Sequence, residues 1–324
     1  MKKFFIAIAA IATAAACSQN ETISLDNGEA IAFGSFVNNS TRAEAATDPS
    51  YSTTADKGVA LTKFNVYGAV NGVNIFNGNE VTKGEAAYGA AWTLTGAKQY
   101  WIAGADYEFV AVVDGNKSDV TTTHFNTDSG IPTTIDYTVD GATDLLCARV
   151  VRLDNTDTSV VPFNFSHLLS KVKFSVANTT EAAATNYRIV LTEAKITGVY
   201  ASGVYTVESN TWTASNTTDY VLENLTVNSA ATQYHSSEVL LIPGNNVGVI
   251  VKANIQATDD NGTTWTTVST IEKPFNNVLG ENGALVANNA YHFAVSLGIG
   301  SEIQFTATAL HDWTNSTPYP TPLQ

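Results

Sequence analysis

The six residues Ile135-Asp136-Tyr137-Thr138-Val139-Asp140 decide the fold, because apolar and polar side chains alternate through them without exception. Successive side chains of a β-strand point to opposite faces of a sheet, so this pattern predicts a strand with one buried face. The same alternation recurs at 172–176, 187–191 and 303–307. Denser apolar runs at 107–113 and 247–255 predict strands that are buried on both faces.

Breaks that contain glycine or asparagine separate these runs, and they predict where the chain turns. Three of them are Asp114-Gly115-Asn116, Ala201-Ser202-Gly203 and Asp260-Asn261-Gly262. Both residue types tolerate the backbone conformations of hairpin turns. Because helical periodicity is scarce, the pattern predicts an all-β chain of antiparallel β-sandwiches with Greek-key-type sheets.

A polar break at 154–159 predicts a domain boundary near residue 160. The expected organisation has four parts: a signal peptide at 1–16, an N-terminal propeptide and strand segment at 17–42, a first β-sandwich domain at 43–160 and a second at 161–324. The tail of the second domain contains Pro318, Pro320 and Pro322 and cannot form an interior strand, since proline lacks the backbone donor.

The first residues have the composition of an export signal. Lys2 and Lys3 precede an apolar run at 4–16, which is too short to span a bilayer. The run ends in Ala14-Ala15-Ala16-Cys17, where small residues directly precede a cysteine. This arrangement predicts a lipobox, in which Cys17 is lipidated and becomes the new N-terminus. The other interpretation is a plain signal peptide with an incidental cysteine.

The charge and cysteine content limit the kinds of binding partner that we expect. The formal net charge is −14, from 30 acidic and 16 basic residues, and no basic stripe is present to bind phosphates. Nucleic acid is therefore not an expected partner, and acyl chains are the expected membrane contact. Apart from Cys17 the chain has one cysteine, Cys147, which lies in an apolar run and is predicted to be a small buried hydrophobe.

No pattern of catalytic, cofactor-binding or metal-binding residues emerges, so we expect no enzymatic activity and no cofactor. The five histidines lack paired ligand spacing, and neither Gly-x-Ser-x-Gly nor a phosphate-binding glycine loop occurs. Five tryptophans fit core packing better than an exposed carbohydrate platform, which remains the alternative: Trp92, Trp101, Trp212, Trp265 and Trp313.

The segment before the first domain carries a strand and a lone arginine. Ile31, Phe33 and Val37 share one face of a predicted strand at 30–37, and a polar stretch follows at 38–44. Arg42 is the only basic residue between Cys17 and Lys57. An exposed loop is readily cleaved, which makes the bond between Arg42 and Ala43 a candidate site for an arginine-specific protease. A solvated loop charge of no consequence is the other interpretation.

Several motifs resemble the fimbrillins, the subunits of type V pili of Gram-negative anaerobes. The most specific is the block Phe165-Ser166-His167-Leu168-Leu169-Ser170-Lys171-Val172. Weaker ones are the lipobox at Cys17, Thr41-Arg42-Ala43, Tyr100-Trp101, Tyr107-Glu108-Phe109, Asp144-Leu145-Leu146, Leu241-Ile242-Pro243-Gly244 and Asp312-Trp313.

The resemblance implies two tandem transthyretin-like β-sandwich domains and a lipoprotein precursor that reaches the outer membrane. It also implies cleavage after Arg42, departure of the strand that contains Ile31, Phe33 and Val37, and its replacement by a strand of another fimbrial subunit. The resemblance further implies homo- or hetero-polymers that contribute to cell adhesion and have a host or bacterial surface ligand. Residues 301–309 fit either a donated strand or the last strand of the second domain, so shaft, tip and accessory roles stay open. The alternative function is a non-polymerising outer-membrane surface lipoprotein that binds glycan or host protein.

Overall fold

A computed structural model describes residues 25–37, 61–83, 92–115, 117–178, 186–222, 234–280, 283–298 and 304–310. These residues form strands, turns and irregular structure, which confirms the predicted all-β fold with β-sandwich architecture. Within these ranges no helix has the length and apolar character needed to cross a membrane.

Nineteen strands follow one another along the described ranges. Those of the first half are β1 (Leu25–Ala30), β2 (Phe33–Val37), β3 (Lys63–Val70), β4 (Val73–Lys83), β5 (Trp92–Leu94), β6 (Tyr100–Ile102), β7 (Ala105–Val113), β8 (Thr121–Phe125), β9 (Pro132–Thr138) and β10 (Leu146–Asn155). The others are β11 (Val161–His167), β12 (Ser170–Asn178), β13 (Tyr187–Thr206), β14 (Thr211–Val221), β15 (Tyr234–Leu241), β16 (Gly248–Ala257), β17 (Thr266–Phe275), β18 (Ala290–Leu297) and β19 (Gln304–Leu310).

The first core lies on the inner face of a seven-stranded sheet with the order β2-β11-β10-β7-β3-β4-β5. The edge strands β2 and β5 contact each other, so the sheet curls on itself. Phe64 of β3 packs across the interior against Phe163 and Phe165 of β11, with ring centroids 5.6 and 5.3 Å apart. Alternating apolar side chains thus meet inside a curled sheet.

The second core lies between two sheets. One has four strands in the order β15-β12-β18-β19, and the other has the order β17-β16-β13-β9-β8, with β14 paired to β13. Val172, Phe174 and Val176 of β12 face this core, and the polar residues between them face the other side. The alternation predicted for 172–176 is therefore confirmed.

A third cluster joins the two halves of the chain. Val110, Val112 and Cys147 on the outer face of the first sheet pack with Tyr137 and Tyr205 of the β9–β13 region. Cys147 is 6% exposed, and burial raises the pKa of its thiol to about 12. The predicted burial of Cys147 is confirmed, and its low reactivity toward thiol reagents stays a prediction.

Strand pairing crosses the predicted boundary near residue 160 in both directions. β11, which follows it, pairs with β10 in the first sheet. β8 and β9, which precede it, belong to the sheet of β13. The division at residue 160 stays a prediction, and any cut there interrupts two sheets.

Two of the predicted turns had different outcomes. Asn261 and Gly262 adopt positive φ angles of 56° and 87° between β16 and β17, as predicted. The break predicted at Ala201-Ser202-Gly203 is wrong, because these residues lie inside β13. A Cβ at Gly203 would lie 3.1 Å from the ring of Trp212 on the paired strand β14, so this glycine makes room for the tryptophan.

We expect Gly141→Ala to destabilise the fold more than Gly72→Ala, although both residues have similar positive φ angles of 74° and 76°. A Cβ at position 141 would overlap the Tyr220 hydroxyl, whereas nothing lies within 4 Å at position 72. The left-handed backbone alone costs about 1–2 kcal/mol, and overpacking adds about 1–3 kcal/mol at position 141. Urea unfolding of both variants measures the difference, and equal losses would show that the Tyr220 contact is unimportant.

Candidate functional site

The N-terminal segment, residues 25–37, completes the first core. β1 pairs antiparallel with β6, and β2 pairs parallel with β11. The chain changes partner at two residues: the amide of Ile31 donates to Gln99 O, and the amide of Val161 donates to Ala32 O, each at 2.8 Å. The single strand predicted at 30–37 is therefore two strands held by different partners.

Ile31 and Phe33 place this segment in the first core, since they are only 4% and 5% exposed. The ring of Phe33 lies 5.3 Å from that of Phe76, 5.6 Å from that of Phe109 and 5.6 Å from that of Phe163. The first two contacts are edge-to-face and the third is stacked, which are favourable aromatic geometries. Phe33 thus fills an aromatic cage.

We call the combination of β6, β11 and the Phe76, Phe109 and Phe163 rings the N-terminal groove. Burial of each large apolar side chain contributes about 1.5–3 kcal/mol, so Ile31 and Phe33 together contribute about 3–6 kcal/mol. Without residues 25–37, the paired edges of β6 and β11 would lose their backbone partners and the cage would be exposed. An open sheet edge beside apolar pockets binds an extended strand.

The β6 side of the groove is anchored by aromatic contacts. The Trp101 side chain is fully buried, and its ring centroid lies 4.8 Å from that of Tyr107. The Tyr107 hydroxyl accepts a hydrogen bond of 2.6 Å from the amide of Ile102. Burial raises the pKa of Tyr107, which keeps the phenol neutral at physiological pH.

Other predicted site residues lie outside the described ranges. These are the lipidation site Cys17, the processing pair Arg42 and Ala43, and the side chain of Val37. The backbone of Val37 pairs with Phe165 at the end of β2. The structure thus describes two of the three predicted groove fillers by their side chains, and it brings Ile31 and Phe33 into one core.

The C-terminal strand β19 pairs antiparallel with β18 at the edge of the four-stranded sheet. The ring of Phe305 stacks on that of Phe275 at 4.9 Å and lies 5.9 Å from that of Phe293. Residues 301–309 were predicted to be either a donated strand or a last strand. In this structure β19 is the last strand of the chain's own four-stranded sheet.

Metal and carbohydrate sites have little support in the part of the chain that the structure describes. It contains no group of three or more His, Cys, Asp or Glu side chains placed to hold a metal ion. Trp101 is fully buried, and Trp92, Trp212 and Trp265 are partly buried. Trp212 donates from Nε1 to Leu168 O at 2.8 Å and packs with Tyr205. These contacts favour core packing over a carbohydrate platform.

Sequence reasoning missed β1 and its partner β6. Residues 25–30 are Leu-Asp-Asn-Gly-Glu-Ala, a polar run without alternation, and Gly28 has a positive φ of 70°. No local signal marks such a strand, because it pairs with β6, which is distant from it in sequence.

This fold defines a class of protein: an all-β sandwich that is completed by its own N-terminal segment. A model of the family described as Fimbrillin-like matches residues 41–313. The chain belongs to the Fimbrillin-like family. It is a structural, non-enzymatic protein of the fimbrial or adhesin type, and this type is found on cell-surface appendages.

Solved structures share the fold at low sequence identity. A fimbrial protein from Bacteroides vulgatus superimposes with a TM-score of 0.52 at 15% identity, over 87% of this chain and 99% of that one. A protein from Bacteroides uniformis assigned to cell adhesion gives a TM-score of 0.54 at 16% identity, over 88% and 98%. A comparison with curated protein sequences gives no match.

Proposed function

We propose that this chain is a subunit of a type V fimbria that is exported as a lipoprotein and assembled by strand exchange. The lipid on Cys17 holds the precursor in the outer membrane. An arginine-specific protease cuts between Arg42 and Ala43, the N-terminal segment leaves, and a strand of another fimbrial subunit enters the N-terminal groove. The observation that carries this proposal is the burial of Ile31 and Phe33 in the first core.

The order of events follows from effective concentration. While residues 25–37 are tethered to the domain, they outcompete strands from other molecules, because a tether corresponds to a millimolar local concentration. Cleavage in the 38–60 connection removes this advantage. The polar composition of 38–44 and the lone Arg42 fit this step.

The pairing of β19 supports a role as strand acceptor. If β19 were donated to a neighbour, Phe275 and Phe293 would lose the Phe305 ring, and β18 would become an open edge. In this state the subunit can accept a strand at its N-terminal groove. A subunit that never releases β19 from β18 would be a tip or accessory subunit, whereas one that releases β19 during assembly would donate it as a shaft subunit.

We expect protein recovered from cells to begin at Ala43, and its precursor to begin at a lipidated Cys17. In Cys17→Ser the precursor should lose its acyl chains and leave the membrane fraction, because several acyl chains are the proposed anchor. Mass spectrometry of the N-terminal peptide and membrane fractionation measure both results. Fimbriae that contain an uncleaved N-terminal segment would contradict the proposal and favour a non-polymerising surface lipoprotein that binds glycan or host protein.

A further inference from the structure

The two strands that form the N-terminal groove, β6 and β11, differ in how firmly the rest of the fold holds them. β11 is joined to β10 through Ser166 and His167, next to the stretch 161–165 that pairs with β2. β6 has three residues and, within the described ranges, pairs only with β1. When β1 leaves, β6 keeps its aromatic anchors but no strand partner. An empty groove would therefore keep its shape better if a further contact, besides these anchors to β7, fixed β6 relative to β11.

Arg152 of β10 contacts both sides. Its guanidinium lies 5.1 Å from the centroid of the Trp101 ring in β6. It also donates to the loop that leads into β11: Nη1 to Asp157 O at 2.8 Å and to Ser159 O at 3.2 Å, and Nη2 to Val160 O at 3.2 Å. Its side chain is only 12% exposed.

The loop that Arg152 holds is itself next to the N-terminal segment. Val161, whose amide bonds to Ala32 O, directly follows Val160. The carboxylate of Asp157 lies 3.5 Å from Arg152 Nη1, and hydrogen bonds from Ser159 lower the pKa of that carboxyl group. Arginine suits this position because its planar fork donates to several carbonyls while its face stacks on an aromatic ring.

We propose that Arg152 is a positioning residue that holds β6 and the start of β11 at a fixed separation, so that the N-terminal groove stays open to an incoming strand. This inference rests on the proposed strand exchange. Its consequence is kinetic: preorganisation of a binding site removes an ordering step from association.

The test compares Arg152→Met with Arg149→Met. Both residues lie on β10, but Arg149 faces solvent, is paired with Glu108 at 2.7 Å and is about three times as exposed, at 35%. Each full-length variant is cleaved with an arginine-specific protease, separated from its released segment at low protein concentration, and mixed with a fluorescent peptide of the sequence 25–37. We expect Arg152→Met to lower the association rate constant about tenfold relative to Arg149→Met, with the dissociation rate constant changed less than twofold. Equal association rates, or a loss confined to dissociation, would overturn the proposal.

Hydrogen exchange in the uncleaved chain separates this inference from the strand-exchange proposal. In Arg152→Met the amides of Ile31 and Val161 should exchange about tenfold faster than in Arg149→Met, because the two edges then move independently. Unchanged exchange would refute the role of Arg152 whether or not subunits polymerise. A second outcome separates the two proposals. If hydrogen exchange is faster in Arg152→Met but cleaved wild-type protein takes up no peptide, the strand-exchange proposal fails. Arg152 would then couple β6 to β11 without a role in assembly.

Discussion

Native treatment with an arginine-specific protease should convert the monomer into a ladder of multimers, and Arg42→Ala should remain a monomer. Arg42 lies in a polar stretch, whereas the other three arginines, Arg149, Arg152 and Arg188, lie inside strands. Proteases cleave extended, accessible chain far faster than paired strands. A single early cut after Arg42 is expected, followed by slow departure of residues 25–37.

Departure of the segment exposes the aromatic cage and the edges of β6 and β11, which favours association with strands of other molecules. Size-exclusion chromatography with light scattering, before and after cleavage, measures the outcome. Aggregation in place of a ladder also agrees with an exposed groove. A stable, soluble monomer that has lost the segment would contradict strand exchange and support the non-polymerising surface lipoprotein.

Much of the fold follows from local patterns. Alternation at 135–140 predicted which side chains are buried, and Ile135 and Tyr137 are 0% and 1% exposed. The apolar face of 30–37 likewise predicted burial of Ile31 and Phe33. In both cases a two-residue period assigns side chains to faces, and the hydrophobic effect then decides which face is covered.

The pairing of strands with one another does not follow from the same patterns. Alternation does not reveal that β9 joins β13, or that β2 lies parallel to β11, because strand order depends on contacts distant in sequence. The glycine at 203 illustrates the limit: a turn residue by composition, it makes room for Trp212 on the paired strand. The contacts of Arg152 could not be predicted for the same reason, since its partners Trp101 and Val160 meet it only after folding.

Phe33→Ala should lower the free energy of unfolding of the uncleaved chain by about 3–5 kcal/mol, the usual range for loss of a buried phenylalanine in a well-packed core. The cavity would open between Phe76, Phe109 and Phe163, which are rigid side chains of three different strands and cannot easily collapse around it. Ala32→Ser is the matched control, because Ala32 is adjacent in sequence and exposed. We expect it to change stability by less than about 0.5 kcal/mol, as surface substitutions usually do.

The same substitution distinguishes a groove filler from an ordinary core residue. After cleavage at Arg42, the segment that carries Phe33→Ala should dissociate about a hundredfold or more faster than the wild-type segment, since about 3 kcal/mol corresponds to that ratio. Once the segment has gone, the emptied Phe33→Ala and wild-type bodies are identical from Ala43 onward, so their assembly rates should coincide. Urea unfolding of the uncleaved variants and fluorescence release of a labelled segment measure the two parts. If Phe33→Ala unfolds at the same urea concentration as Ala32→Ser, the aromatic cage does not hold the N-terminal segment, and the strand-exchange proposal loses the contact that carries it.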